Sequence, residues 1–514
     1  MLARFSEAPE RCALETPDSP PMSFAELDSA AARCANALCD TGVGAGDRVA
    51  VQVDKSIAAL VIYLACLRSG AVFVPINTAY KSQETMQILE DALPKLVICS
   101  PDNESLLRSA IDQHAGFQTP RARPVVTSVD ASGNGAFWQR VLQQTNVHSV
   151  ARLTAEDPAV VLYTSGTTGK PKGAILSQRA LCTNARTLGE LWKIDATDKI
   201  IHCLPLFHAH GLFVVANVAL LAGATMIWLG RFHVPDVVDS FSKATVFMGV
   251  PTLYTRLLDS RRLSPSICGS MRLFLSGSAP LSPQTHDDFK SQTGHEIVER
   301  YGMTETGINA SNPVEGRRIP GTVGLPLPGI EIRVVDDNGA QTRSAAGEVQ
   351  IRGPNLFSGY WNRPDETAAA IDAHGWFSSG DIGQFDETGY LSLLSRKKDV
   401  IITGGYNVYP TEIEALFEKI EGVQEVAVFG APHPDFGEGV VAAVVLKIEH
   451  ERDFDEGRMI SKLKMLVANY KVPKRILSVS SLPRNAMGKI TKPDLRERYH
   501  ETFAEPVLAE QRGG

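Results

Sequence analysis

Short apolar runs alternate with helix-length stretches through the first four hundred residues of this chain. RVAVQV (48–53), AVFVPI (71–76), KLVICS (95–100), AVVLYT (159–164), KIIHCL (199–204), ATVFMGV (244–250) and MRLFLSG (271–277) are examples. Helical patterns such as Ser56–Arg68 and Val237–Lys243 lie between several of them. Strands that are apolar without alternation are buried on both faces, so the pattern implies βα units with parallel sheets covered by helices. Strand order stays open at this level. Leu212–Gly230 runs nineteen residues without a charge, close to the roughly 20 apolar residues of a membrane span. Asn217 and Gly223 interrupt it, and no neighbouring segment resembles it. A buried helix (about 212–222), a Gly stop and a buried strand (about 224–229) are expected instead.

From about 320 the texture changes. GIEIRVVDDNGA and GEVQIRG read as strands joined by an Asp-Asn-Gly turn, and DETGYLSLLSR as a further hairpin-like unit. A strand-rich subdomain is expected over about 325–395, within an N-terminal domain spanning 1–395. Beyond Arg396 a smaller α+β unit, 396–514, contains the amphipathic TEIEALFEKIEGV, with Thr411 as N-cap and Gly422 as stop. EVAVFG and GVVAAVVLKI read there as strands and FDEGRMISKLKMLVANY as a helix.

The 514 residues carry 51 Lys+Arg against 58 Asp+Glu, a net charge of −7. That balance gives no general reason for binding nucleic acid or an acidic membrane, so any polyanionic ligand must be met by locally placed cations. The eight Cys include no CxxC pair. They read as reduced, buried thiols rather than a zinc or redox site. MLARFSEAPERCALE contains no apolar h-region, which points to a cytoplasmic chain.

Leu162–Gly173, LYTSGTTGKPKG, follows a strong strand. Thr164–Gly173 holds three Gly, three Thr, one Ser and two Lys. Bare backbone N–H groups and hydroxyls wrap phosphate oxygens while Lys supplies charge, so a polyphosphate ligand is implied. Gly169-Lys170 is followed by Pro171, so this is not a Walker A loop, which requires GK[ST].

With this loop in place, the chain resembles the adenylate-forming acyl-CoA synthetases, together with luciferases and peptide-synthetase adenylation domains. Further signatures occur in family order: LPLFHAHGL (204–212), SGSAPL (276–281), ERYGMTET (299–306), GEVQIRGPNLFSGYW (347–361), SGDIGQFDETGY (379–390), SRKKDVIITGGYNVYPTEIE (395–414) and LPRNAMGKI (482–490). The resemblance implies a two-domain adenylate-forming fold with a mobile C-terminal domain. It also implies activation of a carboxylate by ATP with Mg²⁺, followed by transfer to coenzyme A. Thr164, Ser165, Gly166, Thr167, Thr168, Gly169 and Lys172 would hold the β- and γ-phosphates. Ser278, Ala279 and Pro280 would line the adenine site and Tyr301 would stack on the base. Thr304 would meet the α-phosphate and Glu305 would hold Mg²⁺. Asp381 would accept bonds from the ribose, Arg396 would support ribose and phosphate, and Lys489 would bridge the acid and the α-phosphate. Lys398 would be the hinge. Ser395 stands where many members have Gly, which bears on local hinge geometry alone. Gly404 and Gly405 would line the thiol channel, with Lys471, Lys474 and Arg475 as candidates for the CoA phosphates.

Arg300 is the specificity clue. Many fatty-acyl and aryl members carry Gly or an apolar residue there, at a position facing the acyl pocket. Under a fatty tail an Arg would be buried and unpaired, whereas a second substrate carboxylate would pair with it. The alternative is a protein partner such as Glu299. His208 and Met303 would border the pocket, Arg231 is a second cationic candidate, and Arg272 reads as structural. Within the family the set is most similar to the malonate-activating branch. A malonate–CoA ligase, accepting methylmalonate as well, is therefore expected, as a monomer or weak homo-oligomer. The alternatives are a ligase for another short- or medium-chain acid, or a free-standing enzyme loading a carrier protein.

Overall fold

The computed structural model describes residues 2–17, 19–119, 123–165, 171–342, 345–485 and 489–504. Among these, the apolar runs form the strands Arg48–Gln52, Val72–Pro75, Leu96–Cys99, Pro158–Ser165, Lys199–His202, Val246–Gly249 and Leu273–Ser276. They divide between two sheets. One runs in space Pro158–Ser165, Val72–Pro75, Arg48–Gln52, Leu96–Cys99, Val125–Ser128, with parallel neighbours. The other runs Ile297–Met303, Leu273–Ser276, Val246–Gly249, Lys199–His202, Thr225–Trp228, Cys12–Thr16, again with parallel neighbours. Antiparallel strands extend both sheets: Pro171–Ser177 folds back on Pro158–Ser165, and Gly307–Ser311 on Ile297–Met303.

The helix Ile57–Ser69, IAALVIYLACLRS, shares one core cluster with strands of both sheets. It is apolar all round, the composition of a helix without a solvent face. The Ser56 side chain caps it by accepting from the Ala59 N–H at 3.1 Å, and Gly70 at φ +77 ends it. The uncharged stretch 212–230 is likewise interior. His210–Ala216 is π-helical, Asn217–Ala222 continues as α-helix, Gly223 stops it at φ +72, and Thr225–Trp228 is a buried strand. No helix among the described residues is long and apolar enough to cross a membrane.

A third, antiparallel sheet holds Glu331–Val335, Gly347–Arg352, Phe377–Phe385 and Leu391–Arg396. After Arg396 a single turn, Lys397–Asp399, carries the chain into a fourth sheet containing Ile401–Thr403, Tyr406–Val408, Gly437–Leu446, Val423–His433 and Arg475–Ser478. That sheet packs cores of its own. The architecture is a mixed α/β fold with a large N-terminal domain of several sheets and a small C-terminal domain.

Two helix limits differ from expectation. The helix ascribed to a Thr411 cap begins at Pro410, which needs no N–H partner in a first turn. The Thr411 hydroxyl instead donates back to the Leu394 carbonyl. This helix ends at Phe417, and Gly422, at φ +88, closes a separate turn beyond it. The later helix spans Glu456–Lys464 and stops where Met465 and Leu466 turn outward, 80% and 61% exposed, leaving no apolar face to bury. All eight Cys are free; five are buried as expected, Cys12 and Cys182 are half-buried, and Cys39 is exposed.

Gly404 and Gly405 form the tip of the hairpin pairing Thr403 with Tyr406, at φ +57 and +83. Two consecutive positive φ values are those of a type I′ turn. The backbone demands glycine here whatever passes alongside. Gly405→Ala should cost about 1–2 kcal/mol of stability, measurable as a lowered thermal midpoint.

Candidate active site

Ile297–Met303 organises the site. Successive side chains point to opposite faces of a strand, so Glu299 and Arg300 cannot share a partner. Glu299 turns away and accepts from the Leu281 N–H at 3.1 Å, with burial raising its carboxyl pKa to about 8. Arg300 is 4% exposed and forms no ion pair among the described residues, and its Nη2 has no hydrogen-bond partner. The Glu299 partnership considered for Arg300 is therefore absent. Burial alone pulls the guanidinium pKa down to about 9. The side chain lies flat on Gly277, where an added Cβ would sit 2.6 Å from Arg300 Cζ.

The end of Lys199–His202 and the π-helix close over Arg300. His208 is half-buried; burial, then Lys489 and then Arg300 lower its pKa to about 3. Its Nδ1 accepts from the His210 N–H at 3.3 Å. His210 is 3% exposed and is held well below the ordinary imidazole range by burial and Arg300. Met303, half-buried, ends the strand.

Asp381 and Arg396 face each other across the hairpin Phe377–Phe385/Leu391–Arg396. The register dictates their ion pair, Arg396 Nε to Asp381 Oδ1 at 2.7 Å. The Tyr301 hydroxyl donates to the other Asp381 oxygen at 2.5 Å. Burial raises the Asp381 pKa, and Arg396 opposes the shift. Thr304 lies in the turn after Met303. Glu305 is buried, with its pKa raised by that burial, and accepts from the Tyr360 hydroxyl at 3.1 Å. Lys172 lies over the same Tyr360 ring and pairs with Glu366. The Thr164 hydroxyl donates to the Lys172 carbonyl at 3.5 Å. Gly166, Thr167, Thr168 and Gly169, together with the Ser165 side chain, lie outside the described residues. Ser278 has φ +72 and shares a hydrogen bond with His210; Ala279 is half-buried and Pro280 exposed.

Lys489 reaches this centre from the C-terminal domain. Asn485 holds its loop: Asn485 Oδ1 accepts from the Lys489 N–H at 3.0 Å, and the Asn485 N–H donates to the Lys489 carbonyl at 2.9 Å. The side chain is exposed by accessible surface, yet its ammonium pKa is lowered by surrounding protein, then by Arg396 and Arg300, with Asp381 opposing. Lys398 is exposed, and its carbonyl accepts from Arg496 at 3.1 Å.

Other expected residues are not brought here. Arg231 is exposed beyond the end of its strand, so it is no rival to Arg300. The cation at that strand end is Lys55, which sequence reasoning passed over. Its Nζ donates to the His202 and Leu229 carbonyls at 2.6 and 2.5 Å, tying the two parallel sheets together. Its position after Arg48–Gln52, at the carboxyl end of a parallel strand, was the available signal. Arg272 is structural: it grips Asp198 at 2.8 and 2.5 Å. Gly404 and Gly405 are exposed on the small domain. Lys471 and Arg475 are paired with Glu412 and Glu456, at 2.7 and 3.1 Å. Lys474 instead lies 5.0 Å over the Phe436 ring, which also borders Gly404. Tyr360, His210 and Phe436 were not anticipated, although the first two lie inside quoted signatures.

Residues 3–361 match the model of the AMP-binding enzyme family, and 412–489 that of the AMP-binding enzyme C-terminal domain. An ATP-bound crystal structure of MatB from Rhodopseudomonas palustris is 44% identical, covering 98% of this chain and 99% of that one, with a TM-score of 0.93. The apo form of that protein, with the same identity and coverage, gives 0.83. Malonate–CoA ligase of Arabidopsis thaliana is 33% identical over 96% of this chain and 88% of its own length. Indoleacetate–CoA ligase of Aromatoleum aromaticum is 34% identical over 97% of both. Overall identity thus does not separate a small dicarboxylic acid from an aryl acid.

Proposed function

The chain belongs to the AMP-binding enzyme family and is an AMP-forming CoA ligase, and on that footing we infer that its acid is malonate, with methylmalonate also accepted. The observation that carries the choice is Arg300: a buried guanidinium with no acidic partner among the described residues. Leaving such a group uncompensated is costly, and a substrate carboxylate relieves it. A fatty or aryl acid cannot.

The acid carboxylate attacks the α-phosphate of ATP, forming acyl-AMP and releasing pyrophosphate. The CoA thiol then attacks the acyl carbon and AMP leaves. Such a transfer needs alignment and charge neutralisation more than a protein nucleophile. Asp381 accepts from the ribose hydroxyls while Arg396 steadies it, and Tyr301 packs the base. Thr164–Gly169 and Lys172 hold the outer phosphates, and Thr304 meets the inner one. Glu305 fits a hard cation: it is buried, its pKa is raised, and the Tyr360 phenol donates to one of its oxygens. Mg²⁺ bound there would neutralise charge on phosphate oxygens. Lys489 brings its ammonium to the reacting carboxylate, and His208 and Met303 wall the acid.

Pyrophosphate release with malonate, methylmalonate, acetate, succinate and octanoate tests the acid. Malonate should give the largest kcat/KM; octanoate or acetate leading would overturn the reading. Acyl transfer to free CoA, with no protein acceptor present, separates this from carrier loading.

For CoA, the hairpin Gly404-Gly405, Phe436 and Lys474 form the receptive surface of the small domain. Lys471 and Arg475 are already neutralised by Glu412 and Glu456. Lys474→Ala should raise the KM for CoA by about 3–10-fold, while Lys471→Ala and Arg475→Ala change it by less than about twofold, since both cations are already committed to protein carboxylates. Initial rates over a CoA titration provide the check.

A further inference from the structure

We propose that Arg496 is a positioning residue for adenylation: it locks the turn between the two domains to the helix that follows Lys489, and so sets where the small domain presents that lysine. This rests on the reading that Lys489 serves the first half-reaction.

The chain passes between the domains through the single turn Lys397–Asp399, whose residues are held from different sides. Lys397 Nζ donates to Glu348 Oε2 at 2.9 Å, on the strand Gly347–Arg352 of the large domain. Arg496 Nη1, on the small domain, donates to the Lys398 carbonyl at 3.1 Å and lies 3.2 Å from Asp399 Oδ1. The peptide after Lys398 is therefore tied to the small domain, and the side chain before it to the large one. Each residue has two soft backbone torsions, so the direction in which the small domain leaves the turn falls on those of Lys398. Arg496 fixes the outgoing side of that joint. It is not a loose surface group: its side chain is 27% exposed, that of Asp399 15%, and its Nε is closed off from solvent without a partner.

The other end of the connection is the Lys489 loop. Arg496 lies on the helix Lys492–Arg498. The Thr491 N–H donates to the Pro483 carbonyl at 2.9 Å and Ile490 bridges Arg484, which closes the stem of the loop at the start of that helix. Leu495, 1% exposed, anchors the helix in a core shared with Phe429 and Val441. Lys492, one turn before Arg496 on the same face, donates to Glu414 Oε1 at 2.8 Å. Leu495 and Lys492 thus fix the helix within the small domain, and Arg496 extends that hold to the interdomain turn. A change of direction at the turn is carried through the domain to Lys489. Adenylation tolerates little of it, because a misplacement of about 1 Å can cost on the order of 10²-fold in rate. Thioester formation makes no use of Lys489 and is not exposed to that loss.

The test measures both half-reactions in the full chain: ATP–pyrophosphate exchange with malonate, and thioester formation from preformed acyl-AMP and CoA. Arg496→Met keeps an unbranched stem and removes the donors. It should lower kcat for exchange on the order of 10-fold, with the KM for ATP within about twofold and thioester formation within about threefold. Both contacts come from one nitrogen, so the ammonium of Arg496→Lys can replace them and should recover much of the loss. Asp399→Ala removes the ion pair from the other side and should show the same split, which keeps the test open if Arg496→Met fails to fold. Equal losses in the two half-reactions, a loss carried by the KM for ATP, or no loss overturns the role of Arg496. If Lys489→Ala stops exchange while Arg496→Met leaves it intact, the Lys489 reading stands and the Arg496 proposal alone falls. Exchange unaffected by Lys489→Ala overturns both.

Discussion

Arg300→Gly should abolish malonate activation, lowering kcat/KM for malonate on the order of 10²–10³-fold, the loss expected when one partner of a buried, hydrogen-bonded charge pair is removed. The same substitution should leave the free protein no less stable, with an equal or higher thermal midpoint. In the free chain the guanidinium is buried without an acid, and burial pulls its pKa down to about 9. The charged form is therefore destabilising at neutral pH. A group that harms the free fold and serves the bound acid is a site-specific cost of function. Malonate should raise the thermal midpoint of wild type and not of the variant. Monocarboxylates of similar length should be activated as well as before or better, since a dry cavity replaces an unpaired cation. A variant that melts far lower and loses every acid equally would mark Arg300 as structural.

Lys489→Ala should cripple the first half-reaction and spare the second. Loss of one placed cation facing developing negative charge costs on the order of 10²–10³ in rate. ATP–pyrophosphate exchange with malonate should fall by that factor, while thioester formation from preformed acyl-AMP and CoA stays within about threefold. The geometry gives the reason. Lys489 enters on the small domain and lies near enough to Arg300, Arg396 and Asp381 for each to perturb its charge. By contrast, the Gly404-Gly405 hairpin on that domain is exposed. This placement of the small domain presents the lysine and leaves the hairpin exposed. Exchange that persists unchanged in the variant would remove Lys489 from the reaction.

Much of the framework was readable from periodicity. Apolar runs without alternation foretold parallel strands, and the Gly223 stop foretold the break between helix and strand. Local chemistry acts over a few residues, so it survives in a linear pattern. Limits set by tertiary contact did not. Thr411 has the composition of a cap, yet its hydroxyl is claimed by Leu394, seventeen positions earlier in the chain. The tempting charge run Lys471, Lys474 and Arg475 looks uniform in sequence, but acids folded beside it single out Lys474.

At the site the same division holds. Through the family resemblance the signatures already implied ATP, an acyl-adenylate and a thiol acceptor, because the residues proposed to meet phosphate, ribose and metal lie in short contiguous motifs. Arg300 stood out as the candidate to set the acid. Whether it was free to do so depended on what the fold placed against it, and composition holds no record of that. Strand alternation sends Glu299 to the other face, Gly277 lets the guanidinium lie down, and the π-helix delivers His210 beside it. Arg231, equally cationic in sequence, ends up exposed. Burial and pairing are properties of contacts between distant segments, and they decide which charges remain available to a ligand.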